Sequence, residues 1–128
     1  KKKKESSKIS ISDNFEKIYF EVSNSHLDKN TQNFINSFET KIIKRTGSSL
    51  KICNLAKGKA NLYPRFSGSM EWDIAAGHSI LKKAGGNIFT LNNNVLTYGK
   101  SDFKNGPFLG IACKKIPPEI FRKLPNTI

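Results

Sequence analysis

The clearest structural signal in this sequence is one amphipathic helix that ends at a glycine pair and leads directly into a strand. Ile74, Gly77 and Leu81 recur at spacings of three and four residues, which places them on one face of a helix. Gly85-Gly86 marks the end of that helix, and the β-forming run Ile88–Leu91 follows at once. A helix that returns so soon into a strand is typical of a sheet with helices packed on it.

Strand and helix patterns alternate along the rest of the chain. The predicted strands are Ile9 to Ile11, Ile18–Val22, Lys41–Lys44, Asn61–Tyr63, Ile88–Leu91, Val95–Tyr98 and Phe108–Ala112. The predicted helices run from Asp28 to Phe38, from Leu50 to Gly58, along the face that begins at Ile74, and from Pro117 to Leu124. This alternation predicts the α/β class, with a layered sheet covered by helices on its faces.

Length and composition indicate one compact domain. The 128 residues are 37% hydrophobic and include nine Phe, which is enough apolar surface for a single core. Residues 1–8 are predicted to be a basic, flexible lead-in, and residues 9–128 the domain. No apolar run approaches the roughly 20 residues of a membrane span, and the amino terminus lacks the apolar part of a signal peptide, so a soluble cytoplasmic protein is expected. Cys53 and Cys113 stand among apolar neighbours and are interpreted as inert buried thiols.

The net charge of +12 permits a small basic module that binds nucleic acid through Lys1–Lys4 and the other lysines. However, 19 of the 22 basic residues are Lys, whereas proteins that read base edges favour the bidentate Arg. No specific nucleic acid is therefore expected, and the excess charge equally suits a small anionic substrate.

Asp73 is the first residue that can carry chemistry. It stands at the start of the helix on the Ile74 face, where the helix dipole favours an ionised carboxylate that can bind a hard cation such as Mg²⁺. An Asp at this position is also a common helix cap, and the sequence leaves both interpretations open. Glu71, two residues earlier, is interpreted as a solvated acid at the helix start.

Three further segments combine polar groups with predicted turns or strand ends. In Gly47-Ser48-Ser49-Leu50-Lys51, backbone N–H groups, hydroxyls and an ammonium can converge on a phosphate, although Ser48 as a plain cap with Lys51 in solvent explains the pattern as well. Ser25 and His26 follow a predicted strand, where a surface histidine is commonly silent. Arg65 follows another strand and can equally be an ordinary surface residue.

The segment Trp72-Asp73-Ile74-Ala75-Ala76-Gly77 resembles the Trp-Asp-x-Ala-Ala-Gly signature of the inositol monophosphatase superfamily at every position. The resemblance implies the fold of the carboxyl-terminal domain of these sugar phosphatases. It also implies that Asp73 is a ligand of a catalytic Mg²⁺ and a contact for a sugar hydroxyl of the substrate.

The other segments resemble the bisphosphate nucleotidase branch of that superfamily. Gly-Ser-Ser-x-Lys implies that Ser48 and Lys51 contact a substrate phosphate. Ser-Arg-Ser-His, here with Asn24 in place of the Arg, implies that Ser25 lines the nucleotide pocket and that His26 lies against the adenine.

A fourth segment, Leu62-Tyr63-Pro64-Arg65, resembles the Asp-Leu-Tyr-Pro-Arg element of the bacterial nucleotidases, with Asn61 in place of the Asp. The resemblance implies that Arg65 reaches the nucleotide phosphate or sugar. Together the four segments imply a Mg²⁺-dependent phosphatase that converts 3'-phosphoadenosine 5'-phosphate to AMP and phosphate, with an inositol monophosphatase-like sugar phosphatase as the alternative.

The family's remaining metal ligands come from an amino-terminal half with a Glu-Glu pair and an Asp-Pro-x-Asp-Gly-Thr signature, and neither pattern occurs in this chain. With only four Asp and six Glu, the chain offers no second carboxylate cluster. The sequence therefore predicts that no catalytic water-activating residue lies here, that the missing half or a partner chain supplies the other ligands, and that this chain alone is inactive.

Overall fold

The computed structural model describes residues 17–23, 28–39, 41–46, 50–113 and 116–125. The strands are β1 (Ile18–Val22), β2 (Lys41–Arg45), β3 (Leu62–Arg65), β4 (Ser69–Met70), β5 (Asn87–Thr90), β6 (Lys104–Asn105) and β7 (Phe108–Ile111). The helices are α1 (Lys29–Asn36), α2 (Leu50–Ala56), α3 (Glu71–Ala84) and α4 (Pro118–Arg122).

Five of these strands form one mixed sheet in the order β2-β1-β3-β7-β5, and β4 pairs with β6 in a small second ladder. β1 runs parallel to both β2 and β3, with Phe20 opposite Ile43 and Leu62. β7 is antiparallel to β3 and to β5. The carboxyl ends of β1, β2 and β3 therefore meet at the same edge of the sheet, which is where ligand sites form in sheets with parallel strands.

Helices cover both faces of the large sheet. Successive residues of a strand point to opposite faces, so each strand contributes side chains to both helix layers. On one face, α2 and α3 pack on strand residues that include Tyr63, Ile88 and Phe108. On the other face, α1 and α4 pack on Phe20 and Leu62 together with their neighbours. The predicted layered α/β architecture is confirmed.

Two glycines allow α3 to lie where it does. A Cβ at Gly77 would come within 3.1 Å of the Ile52 side chain, so the absence of a side chain lets α3 approach α2 closely. Gly85 ends α3 in the left-handed conformation with φ 109°, and its N–H donates to the carbonyl of Leu81 or Lys82. The glycine pair that marked the helix end in the sequence thus has the expected geometry.

Most of the predicted elements are present, and the differences lie near the second ladder. The predicted strand Val95–Tyr98 is wrong: only Val95 forms a bridge, to Phe89, while Leu96 N donates to Ile88 O at 2.9 Å. The short strands β4 and β6 were not predicted, since two residues carry no periodic pattern. The predicted strand Ile9 to Ile11 and the basic lead-in lie outside the described residues. Within the described ranges, no helix is both long and apolar enough to cross a bilayer.

Candidate functional site

The candidate site lies at the edge where β1, β2 and β3 end and α2 and α3 are close by. Tyr63 stands at its centre, in β3, and only 3% of it is exposed. Burial raises the pKa of the Tyr63 hydroxyl, against the influence of the neighbouring Arg65, while Glu21 and Asp73 raise it further. Three charged residues, Arg65, Glu21 and Asp73, thus influence the pKa of the Tyr63 hydroxyl.

Lys51 is buried in the first turn of α2, with 5% of its surface exposed. Its Nζ donates to the carbonyl of Thr46 at 2.9 Å and lies 5.8 Å from the centre of the Tyr63 ring. Burial, followed by the charge of Arg65, lowers the pKa of the Lys51 ammonium. The alternative interpretation of Lys51 as a solvated side chain is therefore wrong, because the side chain is buried where α2 packs on the sheet.

Arg65, the last residue of β3, lies beside the hydroxyl of the same tyrosine. Its Nη1 is 3.5 Å from the Tyr63 hydroxyl, and its Nη2 donates to the carbonyl of Gly68 at 3.0 Å. Arg65 is half-buried rather than fully solvated. Two cations predicted from separate motifs are thus brought to one place, with backbone carbonyls holding both of them.

Asp73 occupies the third position of α3 and its side chain is exposed. Its Oδ2 accepts a hydrogen bond from Met70 N at 3.0 Å, so the carboxylate does act as a helix cap. Its Oδ1 has no hydrogen-bond partner among the described residues. Capping therefore leaves one oxygen of Asp73 available to a ligand.

The described residues alone do not make a complete metal site. No group of three or more His, Cys, Asp or Glu side chains that could hold a metal ion occurs in the described ranges. Mg²⁺ prefers several oxygen ligands in near-octahedral geometry. Asp73 fits as one such ligand, and the described part of the chain holds no group of three that would form the site around it.

Glu71 lies next to this helix start and is not the solvated acid that the sequence indicated. It is buried, its Oε1 and Oε2 accept hydrogen bonds from Gly99 N and Lys100 N at 3.0 Å each, and Lys100 Nζ lies 2.8 Å from Oε2. The Lys100 side chain and these two N–H groups lower the pKa of Glu71 to about 2. Glu71 therefore holds the loop at residues 97–103 against the start of α3.

The same loop contains a bulky residue in the left-handed region, since Phe103 has φ 56°. Its carbonyl accepts a hydrogen bond from Glu71 N at 2.8 Å, which fixes this turn to the helix that carries Asp73. The side chain of Phe103 lies beside Trp72, with ring centroids 6.4 Å apart.

Sequence reasoning missed Glu21, which is fully buried in β1. Its Oε2 accepts hydrogen bonds from Asn54 Nδ2 at 2.6 Å and from Thr46 Oγ1 at 3.1 Å. The available signal was a lone acid inside the apolar run Ile18–Val22, because a buried carboxylate requires partners.

The remaining predicted residues divide into two groups. Ser25, His26 and Ser48 lie outside the described residues, so their predicted roles stay predictions. Asn61, which replaces an Asp of the resembling motif, is buried and accepts a hydrogen bond from Tyr19 N at 2.8 Å, a contact between β1 and the start of β3.

Comparisons with known proteins show the family of this chain. The profile of the inositol monophosphatase family matches residues 2–120. An uncharacterized protein of Rhizobium leguminosarum is 51% identical over 75 residues, which are 54% of this chain and 79% of that protein. The 3'(2'),5'-bisphosphate nucleotidase CysQ of Buchnera aphidicola is 39% identical over 94 residues, which are 71% of this chain and 36% of that enzyme.

Among solved structures, CysQ from Bacteroides thetaiotaomicron, a bacterial member of the inositol monophosphatase family, superposes with a TM-score of 0.73 at 35% identity over 84% of this chain and 41% of that one. An inositol monophosphatase of Thermotoga maritima, at 22% identity and a TM-score of 0.70, shares the fold. The chain thus spans well under half of the CysQ proteins it matches. On these grounds the chain belongs to the inositol monophosphatase family and is related to its CysQ members.

Proposed function

We propose that this chain is the substrate-binding part of a Mg²⁺-dependent phosphatase that removes the 3'-phosphate of 3'-phosphoadenosine 5'-phosphate in the cytoplasm. The products are AMP and inorganic phosphate. The remaining metal ligands and the groups that activate water come from an amino-terminal segment or from a partner chain. The similarity to CysQ nucleotidases supports this choice of substrate.

The observation that carries the proposal is the convergence of Lys51 and Arg65 on Tyr63, near the helix start that presents Asp73. A phosphate monoester needs positive charge and N–H donors, and a metal that bridges to it needs an oxygen ligand close by. Groups suited to all three requirements lie near one sheet edge, on elements held by backbone hydrogen bonds.

Lys51 and Arg65 bind and orient the substrate in this proposal. The Lys51 ammonium has three N–H bonds and uses one on Thr46 O, so two can be donated to phosphate oxygens. Arg65 uses Nη2 on Gly68 O and retains further guanidinium N–H groups for a phosphate or ribose oxygen. Partial burial strengthens these contacts because less water screens the charges.

Hydrolysis of this type breaks the bond between phosphorus and the ribose 3' oxygen, with water supplying the new P–O bond and the proton of the 3' hydroxyl. Bound Mg²⁺ supplies charge neutralisation and water activation in such sites. Asp73 provides one carboxylate oxygen for it, and the described residues do not complete that site.

The test measures phosphate release from 3'-phosphoadenosine 5'-phosphate with Mg²⁺, for this chain alone and for the chain joined to the amino-terminal part of a related CysQ nucleotidase. We expect activity in the joined protein and none in the chain alone. Asp73→Asn in the joined protein should reduce kcat by at least about 100-fold with the fold intact. Asp102→Asn is the matched control, because Asp102 is also exposed and also accepts a backbone hydrogen bond, from Lys104 N.

Four outcomes would contradict the proposal. Full activity of Asp73→Asn would remove the assigned metal ligand, and turnover by this chain alone would show that it needs no other carboxylates. Faster hydrolysis of inositol 1-phosphate than of the nucleotide, with no effect of His26→Ala on KM, would identify the sugar phosphatase alternative. Salt-sensitive binding to DNA without any phosphatase activity would favour the basic module instead.

A further inference from the structure

Glu21 is a buried acid in β1, where the neighbouring residues are mostly apolar. It is 0% exposed, and one of its oxygens, Oε1, has no hydrogen-bond partner among the described residues. An unpartnered buried carboxylate oxygen is costly unless nearby charges offset it. A positive charge near the carboxylate reduces this cost, and Glu21 interacts electrostatically with Lys51.

Thr46 connects Glu21 to the candidate phosphate-binding lysine. The Thr46 hydroxyl donates to Glu21 Oε2 at 3.1 Å, while the Thr46 carbonyl accepts from Lys51 Nζ at 2.9 Å. Asn54, one turn along α2 from Lys51, donates its Nδ2 to the same Glu21 oxygen at 2.6 Å. One buried carboxylate thus holds both the end of β2 and the helix that presents Lys51.

We propose that Glu21 is a positioning residue of the phosphate-binding site: it fixes Thr46 and α2, and it balances the charge of Lys51 so that the ammonium is held in place before a phosphate binds. This inference deepens the proposed function and depends on it for the role of Lys51. Glu21 itself does not touch the substrate.

The electrostatics of Lys51 agree with this geometry. From β3, Arg65 adds a second positive charge and Tyr63 presents its ring, while Glu21 faces the same region from β1. Asp73, at the start of α3, acts on Tyr63. Burial and Arg65 both lower the pKa of Lys51, and Glu21 opposes them by raising it. Removing the Glu21 charge should therefore lower the pKa of Lys51 further.

The experiment titrates Lys51 by NMR of its εCH₂ group in the 128-residue chain, in the wild type, in Glu21→Gln and in Glu119→Gln. Glu119→Gln is the matched control, because Glu119 is an exposed acid of α4 and its loss changes net charge equally. We expect the titration midpoint of Lys51 to move to lower pH in Glu21→Gln only. An unchanged midpoint in Glu21→Gln would overturn the inference.

A second measurement separates this inference from the proposed function. The affinity for 3'-phosphoadenosine 5'-phosphate should fall about tenfold in Glu21→Gln. This is the smaller end of the losses that are typical when a group that orients a binding residue is removed. The loss should increase with pH as Lys51 deprotonates. If Lys51→Met leaves this affinity unchanged, the proposed function fails, and the NMR titration still decides whether Glu21 and Lys51 are paired. If Lys51→Met weakens binding and Glu21→Gln does not, only the inference about Glu21 fails.

A double variant covers the case in which Glu21→Gln does not fold. An uncompensated buried ammonium is then the expected cause, since breaking one side of a buried charge pair is strongly destabilising. Glu21→Gln combined with Lys51→Met removes both charges and should restore a folded circular dichroism spectrum. A double variant that is as unfolded as Glu21→Gln would show that Lys51 is not the partner.

Discussion

The two faces of the large sheet are built from the same strands but have different chemistry. Under α1 and α4, Phe20, Phe34, Phe38 and Phe66 pack edge to face, with ring centroids 5.2 to 6.1 Å apart. Under α2 and α3, buried polar side chains interrupt the apolar packing, among them Glu21, Lys51 and His78. Adjacent residues of β1 separate the two: Phe20 packs with the aromatic cluster, and Glu21 bonds to α2.

Combined with the proposed function, this difference divides stability and binding between the two faces. Burial of aromatic rings stabilises the fold without requiring a specific bonding direction, whereas each buried charge requires specific partners and is costly without them. Mutations on the aromatic face should therefore change the free energy of unfolding more than binding. Mutations on the polar face should do the reverse, and each prediction below can break that division.

The largest expected effect on stability is at Phe34, the centre of the aromatic cluster. Phe34→Ala removes a 2% exposed ring that contacts three other Phe rings, and should cost about 3–5 kcal/mol of unfolding free energy. Urea unfolding measures this, with exposed Asn33→Ala on the same helix as the control. A loss no greater than that of the control would show that the aromatic face is not the main source of stability.

On the polar face, Lys51→Met should act mainly on binding. Loss of a charged hydrogen-bond donor to phosphate is expected to weaken nucleotide affinity by about 10- to 100-fold. Because Met fills a similar volume, the packing is kept, and the stability loss measures the Glu21 charge that is left without Lys51. Isothermal titration calorimetry measures the affinity, and Lys57→Met, an exposed lysine just beyond the end of α2, is the control with the same charge change. Equal affinities of the two variants would contradict the assigned role.

The sequence predicted the regular elements of both faces well because they carry periodic patterns. The helix with Ile74, Gly77 and Leu81 and the strand Ile88–Leu91 needed only local residues to be recognised. The predicted strand Val95–Tyr98 is wrong because tertiary contacts override its β-propensity. Directly after this segment, Gly99 N and Lys100 N donate hydrogen bonds to Glu71, which lies 28 residues before Gly99.

The site divides in the same way between local motifs and distant contacts. Asp73, Lys51 and Arg65 stand in motifs that are short in sequence, so each was predicted before the fold was known. Glu21 was not, because its partner Asn54 is 33 residues away and joins it only when α2 packs on β1. The burial of Lys51 depends on the same packing, which explains why the sequence alone left open the alternative of a solvated side chain.

A pH-dependent effect is expected at Glu71, where the polar face meets the loop at residues 97–103. Its pKa is lowered from the ordinary 4.5 to about 2, so its contribution to stability is fully present above pH 4.5 and is lost as pH falls towards 2. The thermal unfolding midpoint of the wild type should fall more steeply in this window than that of Glu71→Gln. Glu119→Gln should keep the steep profile, and identical slopes for wild type and Glu71→Gln would refute the assignment.

The smallest expected effect is at His78, a polar-face residue that serves packing rather than binding. Asn87 Oδ1 accepts from Ile88 N and lies 2.6 Å from His78 Nε2, so Nε2 is the donor in that contact, and Nδ1 lies 2.6 Å from the Tyr98 hydroxyl. Tyr98→Phe should cost about 0.5–1.5 kcal/mol of unfolding free energy and leave nucleotide affinity unchanged. Tyr19→Phe is the control, since the Tyr19 hydroxyl makes no hydrogen bond within the described ranges. A loss of affinity in Tyr98→Phe would extend the binding site to the loop at residues 97–103, whereas a pure stability loss would confine binding to the Tyr63 edge.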